Sequence, residues 1–121
     1  MNVLYEENSA FKVGTVLTDG DSAIQVEAPH GKRSKVKASA VLLRFDRPAS
    51  TELQQQAEQI AEGIDIDFLW QCCGEQEFSF LDLAREYCGR GPSPVEAAAI
   101  LFRLHSAPMY FYRKGRGRYR A

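Results

Sequence analysis

Five cations, Arg113, Lys114, Arg116, Arg118 and Arg120, stand close together near the end of the chain, with Tyr110, Tyr112 and Tyr119 threaded among them. Guanidinium and ammonium groups pair with phosphates, the guanidinium through a planar donor fork, and tyrosine rings stack on unpaired bases. In a β-hairpin, Tyr110, Tyr112, Arg118 and Arg120 alternate with Phe111 and Tyr119, so one face becomes cationic and the other apolar. Gly115 and Gly117 let the backbone approach a ligand closely. If all five cations met phosphates of a single strand, log affinity would fall with log salt at a slope of about −3.5. The plainer alternative is a solvated basic edge.

A second basic cluster, Lys32, Arg33, Lys35 and Lys37, lies in HGKRSKVK. On a strand, Lys35 and Lys37 share one face, with Ser34 and Val36 opposite. Such a row either meets phosphates or guards an edge strand against self-association.

Other chemistry finds little support. Cys72, Cys73, Cys88, His30 and His105 include no C-x-x-C pair, and adjacent thiols project apart, so no metal site is expected. Cys73 and Cys88 read as small residues of a helical core. Asp65 and Asp67 suit a helix start better than an acid–base pair. No Ser/His/Asp set, phosphate loop or H-x-E motif occurs, so no catalytic residue is expected in this chain.

The net charge of −1 conceals three blocks: residues 1–48 carry +1, residues 49–106 carry −7, and residues 107–121 carry +5. A chain of 121 residues, 45% apolar and 26% charged, has the make-up of an ordinary soluble globular protein. At this size about two-thirds of the unfolded surface is buried, enough to fold without disulfide or metal. No apolar run reaches the ~20 residues of a membrane span. The acidic start MNVLYEENSAF is unlike a signal peptide, and three cysteines, two of them adjacent, suit a reducing cytoplasm.

These residues need elements to hold them. VLYE, FKVGTVLTDG, SAIQVEA, RSKVKA and VLLRF read as five short strands, with turns at Asp19-Gly20-Asp21 and His30-Gly31-Lys32 and one helical turn at Ala38–Ala40. They suit a small SH3-like β-barrel over residues 1–48. STELQQQAEQIAEG predicts a connecting helix, spanning residues 49–63 as a segment. Ser50 is its cap, and Leu53, Ala57, Ile60 and Ala61 share its apolar face.

Residues 64–121 predict three further helices and the hairpin. IDIDFLWQCC (64–73) places Ile66, Leu69, Trp70 and Cys73 at helical spacing, which assigns Trp70 to the core. FSFLDLAREYCG carries Ser79 and Asp82 in capping-box positions and Gly89 as its stop. In PSPVEAAAILFRLHSAP, Ser93 caps, Pro94 takes the first helical position, Glu96 the third, and Pro108 lies beyond the end. Met109–Tyr112 and Arg118–Arg120 then flank a KGRG turn. Helix, helix, helix, hairpin is the order of a winged helix-turn-helix. The overall expectation is an α+β fold, barrel first. Helix 94–106 exposes alanines, Glu96, Arg103 and His105, a poor set for reading base edges in the major groove. That chemistry argues against a stand-alone DNA-binding regulator.

Two stretches, MNVLYEENSAFKVGTVL…IQVEAPHGKRSKVKASAVLLRFD and VEAAAILFRLHSAPMYFYRKGRGRYR, resemble the amino-terminal region of a bacterial branch of the ribonuclease II family. QVEAPHGKR, FLWQC and LHSAPMYFYRKGRGR are the most specific strings. The resemblance implies a small barrel and a winged helix preceding the catalytic domain of a processive 3′→5′ exoribonuclease that uses magnesium. It implies that the catalytic domain follows Ala121 in cis, because no position here matches the family's aspartate motif. The role implied for these residues is to hold single-stranded RNA and guide its 3′ end. A docking module for the catalytic domain is the rival role.

Overall fold

A computed structural model describes residues 1–121 in full. The protein is α+β, with a five-stranded antiparallel sheet, a smaller three-stranded sheet and four helices. The chain divides into two compact units, Met1–Gln54 and Gln55–Ala121.

In the first unit the strands are β1 (Asn2–Glu7), β2 (Ala10–Thr18), β3 (Ala23–Glu27), β4 (Arg33–Lys37) and β5 (Val41–Phe45), with a single 3-10 turn at Ala38–Ala40 before β5. β1 to β4 form an antiparallel meander, and β5 returns to pair with β1. Asn8 and Ser9 both take positive φ, at 52° and 64°, and close the β1–β2 hairpin as a two-residue turn whose twist matches its strands. Alternation then selects the core: Val3, Tyr5, Ile24, Val26, Val36 and Ala40 cluster together, with Val16 and Val41 packed against them. Full burial of a Val or Ile of this kind is worth about 1.5–3 kcal/mol.

β2 serves two neighbours, pairing with β1 over Ala10–Thr15 and with β3 from Thr15 onward. Gly14 stands just before the changeover. A Cβ there would lie 2.2 Å from Val26 Cγ1 and 3.0 Å from the Glu27 carbonyl oxygen. Only a residue without a side chain lets the two strands approach so closely.

The sheet does not close. The strand order is β4-β3-β2-β1-β5, so β4 and β5 remain edges, and the closed barrel expected over residues 1–48 is not observed. Arg33, Lys35 and Lys37 are exposed along edge strand β4, and charge on an edge discourages pairing without any closure.

Helix α1 (Ser50–Glu62) begins on the carbonyl of Ala49, which accepts from the Glu52 and Leu53 amides, so Ser50 lies inside the helix and is not its cap. Leu53, Ala57 and Ala61 are buried as their spacing predicts, whereas Ile60 is 42% exposed. The apolar stripe is thus narrower than the sequence suggests.

The second unit continues with α2 (Ile66–Gln71), β6 (Phe78–Ser79), α3 (Phe80–Cys88), α4 (Pro94–His105), β7 (Tyr112–Gly115) and β8 (Arg118–Arg120). α2 is shorter than the expected 64–73 because Asp65, not a helical residue, caps it by accepting from the Asp67 and Phe68 amides. Ser79 caps α3 through the Asp82 amide, while the Asp82 carboxylate turns to Arg85. Gly89 ends α3 at φ 70°. α4 starts with a complete capping box, Ser93 and Glu96 each bonding the other's backbone amide. Ala97 to Leu101 and Leu104 are buried, so α4 is the spine of this unit.

Two core assignments do not hold. Trp70 is 46% exposed, and Leu69 takes the buried position on α2 in its place. Cys73 and Cys88 are half-buried.

Candidate nucleic-acid interface

β7 and β8 are joined by a two-residue loop, Arg116-Gly117, and Gly117 supplies the left-handed conformation at φ 69°. The loop is shorter than the expected KGRG turn, because β7 runs on to Gly115. Met109 and Tyr110 fall outside the hairpin, in a turn where the Tyr110 and Phe111 amides both donate to the Ala107 carbonyl. The expectation that Tyr110 belongs to the hairpin face is therefore corrected.

A third strand anchors the ribbon. β6 pairs with β8, Phe78 facing Tyr119 and Ser79 facing Arg118, and the order β6-β8-β7 leaves β7 on the edge. The Phe80 amide donates to the Gly117 carbonyl at 2.8 Å, tying the loop to the start of α3. Phe111 and Tyr119 are each only 2% exposed, and Phe78 meets Phe111 edge-on with ring centroids 6.4 Å apart. The hairpin thus has an apolar side sunk into the unit, which gives its outer side a fixed direction.

Register decides what that outer side carries. Tyr112 faces Arg120 across the hairpin, and Arg118 falls on the same side two residues before Arg120. Tyr112, Arg118 and Arg120 are all exposed. Arg113 faces Tyr119 and Gly115 faces Arg118, so Lys114 is the extra residue of a bulge at the exposed end. Arg113, Lys114 and Arg116 are exposed as well. Arg118 Nε donates to the Glu77 carboxylate, which engages that guanidinium within the unit.

The other basic cluster belongs to the first unit. Arg33, Lys35 and Lys37 face Glu27, Gln25 and Ala23 of β3, and Arg33 pairs with Glu27 at 3.3 Å. Ser34 and Val36 point the opposite way, Val36 into the core. Lys32 precedes the strand and lines an open depression with His30, Lys12 and Phe11. Lys12 itself is held by Glu7 at 2.8 Å, and that contact raises the Lys12 pKa and lowers that of Glu7.

α4 offers little to a groove. Glu96 is clasped by Arg90, whose two terminal nitrogens donate at 2.9 and 2.8 Å. Those bonds, with the Ser93 amide, hold the Glu96 carboxyl down to about 2. Arg103 donates to the Ile64 carbonyl at 3.0 Å and is drawn inward. Burial pushes the Cys73 thiol up to about 11, and it raises Cys88 too, with the Glu96 carboxylate adding to the effect, so neither is a ready nucleophile. No three His, Cys, Asp or Glu side chains converge as a metal ion needs, and no helix is long and apolar enough to cross a membrane.

Sequence spacing also misplaces Trp70. It lies between two surface depressions, one shared with Met109 and Tyr110 and the other with Gly74, Glu75 and Arg120. The Tyr110 hydroxyl donates to the Asp67 carboxylate, which raises its pKa. Helical spacing puts Asp67, Trp70 and Gln71 on one side of α2, but nothing in the sequence shows that this side stays uncovered.

In comparisons with protein-family models, with curated proteins and with solved structures, nothing matches this chain.

Proposed function

We propose that the chain is a single-stranded RNA-binding region, built as a small SH3-like fold followed by a winged helix, whose β7–β8 ribbon is the wing. The single observation that carries the reading is the outer face of that ribbon. Tyr112, Arg118 and Arg120 stand side by side on a hairpin pinned from beneath by Phe111 and Tyr119. Charge adds to it, with +5 concentrated in residues 107–121 of a chain whose net charge is −1. A rigid row of cations beside a ring tracks a backbone and stacks bases without reading sequence.

The element order α2-β6-α3-α4-β7-β8, with sheet order β6-β8-β7, supports the winged-helix reading. The meander with a 3-10 turn before a returning fifth strand supports the SH3-like one. Together with the family strings of the sequence, these features favour a guiding region of a cytoplasmic ribonuclease II-type 3′→5′ exoribonuclease. Catalysis and magnesium then belong to another domain of that enzyme, and this chain's part is to hold RNA. A major-groove reader is disfavoured because Glu96 and Arg103 on α4 are engaged within the unit.

The test is anisotropy of a labelled oligoribonucleotide with the full chain across a salt series. Affinity should fall steeply with salt, with a log–log slope no steeper than about −3.5. Replacing Arg113, Lys114, Arg116 and Arg118 with alanine should abolish retention at low salt. Unchanged affinity in that variant overturns the proposal. No binding by the native chain points to a docking module, and tighter binding to duplex DNA points to a DNA regulator.

A further inference from the structure

Trp70 is the chain's sole tryptophan, and it stands nearly half exposed although its indole is the largest apolar group available to the core. Its surroundings match one kind of ligand. On one side it shares an open depression of about 630 Å³ with Arg120, the last cation of the ribbon. On the other side it shares a depression of about 430 Å³ with Met109, which is 91% exposed, and with Tyr110. Both lie in the size range of small-ligand clefts. The Tyr110 hydroxyl is directed at the Asp67 carboxylate of α2. The result is a standing aromatic wall, with a guanidinium on one flank and a thioether and a phenol on the other.

We propose that Trp70 is a base-stacking wall for single-stranded RNA, the strand passing from the ribbon by way of Arg120 and laying bases against the indole. This inference rests on the ribbon binding RNA. Arg120 meets a phosphate beside the wall, and the indole supplies the π-face that every base accepts. Met109 and Tyr110 line the far side, where a neighbouring base finds soft apolar surface. Two acids are discordant, Glu75 in the Arg120 depression and Asp67 in the Met109 depression, and Glu75 repels the phosphate that Arg120 would meet. Glu75→Gln should therefore strengthen binding.

Because there is one tryptophan, its emission reports on this wall alone. Oligouridylate should quench the fluorescence of the full native chain in parallel with the anisotropy rise of a labelled copy. An abasic oligonucleotide of equal length and charge should bind more weakly and leave the emission unchanged. Trp70→Leu should cost about tenfold in oligouridylate affinity, within the range for loss of one stacked base, with the salt slope unchanged, and Trp70→Phe should recover part of that loss. Salt-dependent binding without quenching, or equal quenching by the abasic strand, overturns the stacking wall and leaves the ribbon's role standing. Absence of any binding by the native chain overturns both.

Discussion

Arg90 closes on Glu96 with two guanidinium nitrogens while the same carboxylate accepts from the Ser93 amide at 2.9 Å. One acid thus serves as an ion-pair partner and as the far half of a capping box. The two duties separate under substitution. Glu96→Gln keeps a side chain that can bond the Ser93 amide but loses the charge, whereas Ser93→Ala removes the cap and should cost about 1 kcal/mol. The Glu96 carboxyl sits at about 2, below its ordinary 4.5, so its charged form is the one that folding favours. The stability it adds is complete above about pH 4.5 and is lost as pH falls through 2. Denaturant midpoints of native chain and Glu96→Gln should therefore differ at pH 7 and converge on acidification.

Phe111 and Tyr112 are neighbours with opposite duties. Phe111→Ala opens a cavity beneath the ribbon against Phe78 and should cost about 3–5 kcal/mol. Tyr112, 61% exposed, should leave stability within about 0.5 kcal/mol when truncated to alanine. Thermal melts and oligoribonucleotide binding should divide cleanly, the first variant losing fold and the second losing affinity alone.

Glu77 restrains Arg118. Removing that charge with Glu77→Gln should release the guanidinium to a phosphate, tightening RNA binding at low salt. The log–log salt slope should steepen by about 0.7, the increment for one more phosphate contact on a single strand. An unchanged slope would place Arg118 outside the RNA path.

Gly14 lies next to the point where β2 passes from pairing with β1 to pairing with β3. Gly14→Ala drives a methyl group into Val26, a β-branched residue with little rotamer freedom, and against the Glu27 carbonyl. Overpacking of this kind costs about 1–3 kcal/mol. Denaturant unfolding should show the loss, and Val26→Ala in the same chain should restore part of it by making room.

The elements legible from the sequence are those whose signals are local. β1 to β5 follow from alternation and turn residues, α1 from spacing, and α3 and α4 from spacing, caps and stops. β6 is not legible, because Phe78-Ser79 has no period of its own and becomes a strand only where β8 offers it an edge. The Asn8-Ser9 turn is missed for a related reason. Asn8 tolerates positive φ by itself, but Ser9 does not favour it and takes it where the β1–β2 register closes.

The site divides along the same line. Composition alone places the positive charge in the last fifteen residues, and alternation alone predicts which hairpin residues turn inward. Spacing also says that Trp70 shares a side of α2 with Asp67 and Gln71. It does not say whether that side is covered, whether Tyr110 joins the ribbon or turns to Asp67, or which arginine finds Glu77. Those outcomes belong to tertiary structure, because burial and pairing are settled by partners far apart in the chain, where a periodic pattern carries no information.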